Sequence, residues 1–344
     1  MESGPELVTI KDVAQRAGVS VTTVSRVINH SGYVGETAQE RVTKAMEELN
    51  FQPSRLARGL VSGKTSTIGL LIPDVANPFF ADVARGIEDA AIAKGYTTIL
   101  CNSDWKRERE VMYLGILRSR WADGVIIAGS RSGEEAIDQA TAGLPLVLVD
   151  RRGSAQHSSV WMDNERGGRL ATSHLINIGC RHIVHISGPE DSPSAYSRRL
   201  GFEEAISENR ARHEGLRGEL IQGNFRYEGG HEIGLSLLRS KDRPDGIFAA
   251  NDLMAVGILQ AARFCGIEVP DELAIVGYDN IALSEYAFPS LTTIAQPGYA
   301  MGRSAFQLLL NQLGSGRNYR AEQQEFEPQL ILRGSTARKR QAGM

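Results

Sequence analysis

Apolar residues at the start of the chain recur at helical spacing in three short runs. Ile10, Val13, Ala14 and Ala17 form the first, and Val24, Val27 and Ile28 the second. Ala38, Val42, Ala45, Met46 and Leu49 form the third, on one face of a helix expected over 36–49. Gly18 stands where the first helix must stop, because glycine enters the left-handed conformation without a side-chain penalty. Ser20 follows at an N-cap position, its hydroxyl able to accept from exposed amides. Helix, tight turn and second helix make a unit whose second helix can enter the major groove of DNA. Val21, Thr22, Ser25, Arg26 and Asn29 fall on the outer side of that helix. Val21 can touch a thymine methyl, and Arg26 can grip guanine O6 and N7, worth roughly 1–3 kcal/mol of discrimination. Taken alone, the pattern equally describes a helical hairpin with a solvated polar face.

The next segment is different in kind. Pro53 and Ser54 signal a fourth, very short helix, which Gly59 weakens by roughly 1 kcal/mol relative to alanine. Leu56 and Leu60 lie four apart and share a face, so this weak helix should fold only when something covers them. After a polar linker at 62–66, strand and helix patterns alternate. Strands are expected at 67–72, 96–101, 124–128 and 146–149, with helices at 79–93, 106–121 and 133–142 between them. A second series begins after Asp163, with helices at 165–178, 197–209, 228–239 and 252–264 and strands at 182–186, 219–222, 245–250 and 273–276. Two such series imply an α/β body of two parallel doubly wound sheets, which bind ligands beyond the carboxyl ends of their strands.

The run from Thr9 through Leu60, with Thr67-Ile-Gly-Leu-Leu-Ile-Pro-Asp-Val-Ala-Asn-Pro-Phe-Phe80, Gly277-Tyr-Asp-Asn280 and Leu291-Thr-Thr-Ile-Ala-Gln-Pro297, resembles the lac repressor/gal repressor family of bacterial transcription regulators. The resemblance covers nearly the whole chain. It implies a helix-turn-helix head over 1–53, a hinge helix and linker over 54–66, and a two-lobed, periplasmic-binding-protein-like body over 67–338 for effector binding and dimerisation. Lobe 1 would take about 67–163 and 293–324, with a helix at 298–313. Lobe 2 would take about 164–292 and 325–338, finished by a strand near 326–332, and 339–344 would be a tail. The resemblance also implies a hinge that pairs in a homodimer and pushes Leu60 into the minor groove, where unstacking a base step costs on the order of a few kcal/mol. The operator contacts it implies are Thr9, Ser20, Val21, Thr22, Thr23, Ser25, Arg26, Asn29, Arg55, Ala57, Arg58 and Leu60. Val61 replaces a lysine found there in some relatives, and the Val21-Thr22 pair replaces a bulkier one, so the operator sequence does not transfer.

Charge changes the picture little. The chain of 344 residues carries a net −3, and residues 1–64 hold 8 Lys and Arg against 7 Asp and Glu, a net of +1. DNA binding therefore rests on local geometry, with Lys11, Arg26, Arg55, Arg58 and Lys64 as candidate phosphate or groove contacts. Cys101, Cys180 and Cys265 are odd in number and widely spaced, which argues against a disulfide framework or zinc site and for the cytoplasm. No signal-type or membrane-spanning apolar run is seen.

Polar and aromatic groups gather after the expected strands: Asn77, Phe79, Phe80, Asp104, Asp150, Arg151, Ser192, Ser194, Arg198, Phe225, Asn251 and Asp279, with Gln296 at the return crossing. Carboxylates and amides bind paired hydroxyls, arginine donates a fork of hydrogen bonds, and an aromatic covers an apolar ring face, so this is polyol chemistry. The family resemblance assigns sugar contacts to Asp150, Arg198, Asn251 and Asp279, and ligand packing to Phe79, Phe80 and Phe225. Each residue also has a plainer role open to it. One of Phe79 and Phe80 can be core, Asn251 or Asp252 can cap a helix, Asp279 can order a turn, and Arg199 can replace Arg198. Arg151 is an extra cation that would favour an acidic or phosphorylated sugar. His174, His182 and His185 read as packing residues rather than a metal site. No Gly-x-Gly-x-x-Gly follows the first strand, and no Walker loop, zinc spacing or Gly-x-Ser-x-Gly elbow occurs, so no cofactor, metal or enzymatic turnover is expected. The alternative function is a solute-binding receptor built on the same body, which would have no use for residues 1–62.

Overall fold

A computed structural model of the chain describes residues 8–29, 31–51, 64–315 and 319–337. The chain divides between Ser66 and Thr67 into two compact units. In the first unit, helices α1 (Ile10–Ala17), α2 (Val21–Asn29) and α3 (Glu36–Glu48) enclose Val13, Ala14, Ala17, Val24, Val42 and Ala45. The Thr9 backbone N–H and hydroxyl both donate to Asp12, each at 2.7 Å, which fixes the start of α1. Gly18 ends that helix at φ +64°. Ser20 Oγ then accepts from the Thr23 amide at 3.1 Å, as an N-cap should. The expected fourth helix with Arg55, Ala57, Arg58 and Leu60, and the tail at 339–344, lie outside the described residues.

The second unit carries two six-stranded sheets. The first contains β1 (Thr67–Ile72), β2 (Thr97–Asn102), β3 (Gly124–Ala128), β4 (Leu146–Val149), β5 (Ser158–Met162) and β11 (Gln323–Phe326), in the order β11-β5-β4-β3-β1-β2. The second contains β6 (His182–Ser187), β7 (Arg217–Gln222), β8 (Gly246–Ala249), β9 (Ala274–Asp279), β10 (Thr292–Ala295) and β12 (Gln329–Ile331), in the order β12-β10-β9-β8-β6-β7. Pairing is parallel except between β10 and β12. The central strands of both sheets, β3 and β4 in the first and β6, β8 and β9 in the second, are buried on two faces, as their apolar runs require. On β1, Ile68, Leu70 and Ile72 face one core and Leu71 the other.

The helices of this unit are α4 (Pro78–Ile92), α5 (Arg107–Ile116, running into a π-turn to Trp121), α6 (Glu134–Thr141), α7 (Asn164–Asn177), α8 (Pro193–Asn209), α9 (Tyr227–Leu238), α10 (Asp252–Cys265), α11 (Ala282–Tyr286) and α12 (Gly298–Ser315). Glycines let neighbouring helices touch. A methyl at Gly168 would collide with the Arg198 carbonyl, and one at Gly201 with the Glu165 carbonyl, so α7 and α8 lie backbone to backbone.

Four details differ from the pattern-based expectation. Helix α8 starts at Pro193, not 197, because Ser192 caps it and Pro193 suits its first position. Strand β5 was not anticipated, since Ser158 and Ser159 dilute its apolar signal, although both are buried. The return to lobe 1, expected at about 293, follows Ala295. β10 pairs with β9 and seats Ile294 in the second core, while Asp252 satisfies the buried Thr293 hydroxyl. The strand expected near 326–332 is two strands in different sheets, and Phe326 still pairs with Met162 of the first, so the last crossing, expected at about 324, follows 326.

Candidate functional site

In each sheet the first strand of its series sits between the second and third, the point at which strand order reverses and α/β sheets bind ligands. The carboxyl ends of the two sheets face one cavity. It is lined by Asn77, Phe79, Phe80, Asp150, Ser194, Arg198, Phe225, Asn251 and Asp279, together with Trp105.

Arg198 is its centre and is 2 % exposed. It projects from α8, where its Nε donates to Asn164 Oδ1 at 2.8 Å and its Nη1 to the Ala250 carbonyl at 2.5 Å. Its guanidinium lies 3.7 Å from the Tyr278 ring centre, a cation–π contact on its far side. Asp150 from lobe 1 and Asp279 from lobe 2 flank it, with closest N···O separations of 3.9 and 3.7 Å. Gln296 holds Asp279 by a 2.7 Å bond from Nε2 to Oδ1. Burial pushes Asp279 up to about 7, although Arg198 and Gln296 pull the other way. Burial raises Asp150 as well, against Arg198 and Ser194. Among the described residues, Asp150 Oδ1 and Gln296 Oε1 are buried without a hydrogen-bond partner. Such atoms are costly unless a hydroxyl or amide reaches them.

The aromatic wall is continuous. Phe79 meets Phe80 at 5.1 Å, Phe80 meets Trp105 at 6.0 Å, and Trp105 meets Phe225 of the other lobe at 5.3 Å between ring centres. Strain collects here too. Asp104, Trp105, Asp150, Phe225 and Asp279 are non-glycine residues with φ of 55°, 57°, 62°, 64° and 105°. Such backbone strain gathers where a structure must aim a side chain.

Several expected residues play other or double parts. Phe79 and Phe80 are both core and lining, each 3 % exposed. Asn251 caps α10 through Met254 and donates to the Phe225 carbonyl at 2.8 Å, so it positions an aromatic as well as facing the cavity. Ser192 is the buried cap of α8, 3.2 Å from Ser194, and stands behind the lining. Asp104 is not in the lining but at the cleft mouth, bound to Arg226. Arg151 turns away: its guanidinium donates to the Ser132 carbonyl at 2.8 Å and faces Glu134 at 3.9 Å, so it brings no extra cation to the cavity. Trp105 and Asn164 escaped sequence reasoning. Trp105 follows Asp104 directly at a strand end, which was the available signal. Asn164 had none, since its contact with Arg198 spans 34 positions.

In the head, Ser20, Val21, Thr22 and Arg26 are exposed along one side of α2, while Thr23 and Ser25 are half-buried. Thr23 Oγ1 lies 2.9 Å from Ser20 Oγ. Thr9 is exposed at the start of α1, and α2 ends at Asn29. Outside the cleft, His182, Glu219 and Asp242 form a cluster of metal-ligand type. Arg217 donates to His182 Nδ1 at 2.8 Å and pairs with Asp242, so a guanidinium already supplies the positive charge there. His185 stacks on Phe248 at 4.3 Å and bonds its carbonyl, a packing role.

The family model for bacterial regulatory proteins of the lacI family matches residues 9–54, and that for a periplasmic binding protein-like domain matches 172–336. The chain is 41 % identical over 307 residues to a ribose operon repressor of Halalkalibacterium halodurans, covering 89 % of this chain and 91 % of that protein. It superposes on the lac repressor dimer bound to operator and the anti-inducer ONPF with a TM-score of 0.84 at 28 % identity, covering 96 % of this chain and 99 % of that one. A LacI family transcriptional regulator from Enterococcus faecium with bound ribose aligns with a TM-score of 0.70 at 34 % identity, over 80 % of this chain and all of that one (100 %).

Proposed function

Since the chain belongs to the lacI family of bacterial regulatory proteins, and is a helix-turn-helix repressor rather than an enzyme, we propose that it binds a near-palindromic operator as a homodimer and answers to a pentose, with ribose the leading candidate. The carrying observation is the buried Asp150–Arg198–Asp279 group beneath an aromatic wall. Paired hydroxyls of a sugar would satisfy the two carboxyls while Arg198 donates to ring or anomeric oxygen, and Trp105 or Phe225 would cover the apolar ring face. The displacement of Arg151 from the cavity favours a neutral sugar over a phosphorylated one.

On DNA, Val21, Thr22 and Arg26 would read base edges, with Thr9, Ser20, Thr23, Ser25 and Asn29 around them on backbone and groove. The hinge residues Arg55, Ala57, Arg58 and Leu60 would follow the minor groove. A two-fold protein presents two such readers to two half-sites. Binding of the sugar between the lobes would change the pairing of the hinges, and operator affinity with it. The sugar must prefer one lobe arrangement, or it shifts nothing. The protein would work in the cytoplasm, where operator and metabolite are both present.

The test is calorimetry with ribose, xylose, glucose, cellobiose, ribose 5-phosphate and guanine, joined to operator selection from random duplexes. Ribose should bind best, and the selected site should be an inverted repeat whose affinity changes with ribose. Preference for the phosphate or the purine would overturn the effector assignment. A selected site without two-fold symmetry would overturn the dimeric reader.

A further inference from the structure

The mouth of the cleft carries charge pairs that join the two lobes. Asp104, just before Trp105 on lobe 1, accepts from Arg226 of lobe 2, just after Phe225, at 2.5 Å. Lys106 at 3.1 Å and Arg109 at 3.7 Å back Asp104 from its own lobe. A second set has the opposite polarity. Asp191 of lobe 2 is bound by Arg107 of lobe 1 at 2.9 Å and is also paired with Arg131. Arg131 in turn donates to the Trp105 carbonyl at 3.0 Å, and its loop is pinned by the buried Glu110, which accepts from Ser130 and from the amides of Arg131 and Ser132. Lys106 and then Arg226 hold Asp104 below the usual carboxylate range. Burial works to raise Asp191, but Arg131 and Arg107 outweigh it and hold it low as well.

Position gives these pairs their meaning. Trp105 and Phe225 are the rings that meet across the cavity, and each has one partner of the first pair as its neighbour in sequence. Asp191 precedes the cap of α8, the helix that carries Ser194 and Arg198. The geometry points to an ionic clasp: Asp104–Arg226 and Asp191–Arg107/Arg131 hold the lobes together around the bound sugar and set how long it stays. They position the aromatic lid without touching the ligand. With side-chain exposures from 27 to 55 %, the pairs are open to screening, so closure weakens as salt rises.

The proposal rests on the cleft being the sugar site, and the experiment keeps the two separable. Ribose dissociation is followed by stopped flow for the wild type, Asp191→Asn, Arg226→Gln, the double variant and the charge-keeping Asp191→Glu, at low and high sodium chloride. Each neutralising change should speed dissociation about two- to five-fold, the range of a partly exposed ion pair, with association little altered. Salt should speed dissociation from the wild type and from Asp191→Glu but not from the double variant. A second arm needs no sugar. Spin labels at Glu88→Cys and Ser207→Cys, exposed helical sites on opposite lobes, are placed in a Cys265→Ser background and their separation is measured by electron–electron resonance. The double variant should show longer and broader distances than its parent. An unchanged distribution overturns the clasp whatever the kinetics, as do wild-type dissociation rates in the double variant. Failure of wild-type protein to bind ribose refutes the sugar assignment and leaves the spin-label arm to decide the clasp.

Discussion

Replacing Asp279 by asparagine should make the empty protein more stable and the sensor worse. Asp279 is 5 % exposed, and its carboxyl titrates near 7 against an ordinary 3.8. A carboxyl whose folded pKa lies above its unfolded one holds more protons when folded. Its contribution to stability is therefore complete below about pH 4 and is lost as pH climbs towards 7. The loss is about 1.4 kcal/mol for each pH step in that window, or about 4 kcal/mol in all. Arg198 and Gln296 are already included in that shift, so the figure is net of their attraction. Asparagine keeps the oxygen that Gln296 Nε2 reaches and has no charge to bury. In urea titrations the stability of Asp279→Asn relative to wild type should be near zero at pH 4, grow to pH 7 and level off. Sugar binding should move the other way. A charged acceptor is worth roughly 1.5–3 kcal/mol, so ribose affinity should fall about ten- to a hundredfold. Wild-type affinity should itself improve from pH 6 to 8 as the carboxylate forms. A stability difference that does not vary with pH, or that shrinks as pH rises, would refute the assignment of a strained, near-neutral Asp279.

Trp105→Ala should weaken ribose binding at least tenfold in calorimetry, whereas Trp105→Phe should stay within a few-fold; equal losses would mean that the ring is not a stacking surface. Arg151→Ala should cost about 1 kcal/mol of stability in urea, by removing its bond to Ser132, and leave ribose affinity unchanged; a large loss of affinity would return Arg151 to the cavity. Arg26→Ala should relax base preference by roughly 1–3 kcal/mol at one base pair per half-site, and an unaltered selected sequence would reject that contact. Leu60→Ala should weaken operator binding in gel shift without changing ribose affinity, and retained operator affinity would remove the minor-groove wedge.

Local pattern was enough for most elements, because a helix cap or a buried parallel strand declares itself within a few residues. Gly18 at φ +64° and the Ser20 cap are the spacing signals made physical. The alternation of strands and helices led to two sheets with candidate ligand groups at their carboxyl ends, and nine of those candidate side chains line one cavity. Pattern failed where a strand's partners lie far along the chain. β5 hides behind two serines, and one serine is satisfied by Gln323, 164 positions away. The residue at which the chain crosses between lobes was beyond local pattern for the same reason, since whether Thr292–Ala295 joins one sheet or the other depends on Asp252 and β9.

The chain's own order of residues determined that there is a reading head, a two-series body and a set of polyol-type groups at strand ends, because those follow from spacing, caps and strand polarity. Tertiary structure alone decided which neighbours share a purpose. Arg151 turns aside to Ser132 while Asp150, one residue earlier, points at Arg198 from the opposite lobe. Trp105 became lining because it meets a phenylalanine 120 positions away, and Asp104 beside it became part of the mouth. Side-chain direction at a strand end depends on a backbone turn that long-range packing selects, and no count along the chain carries that information.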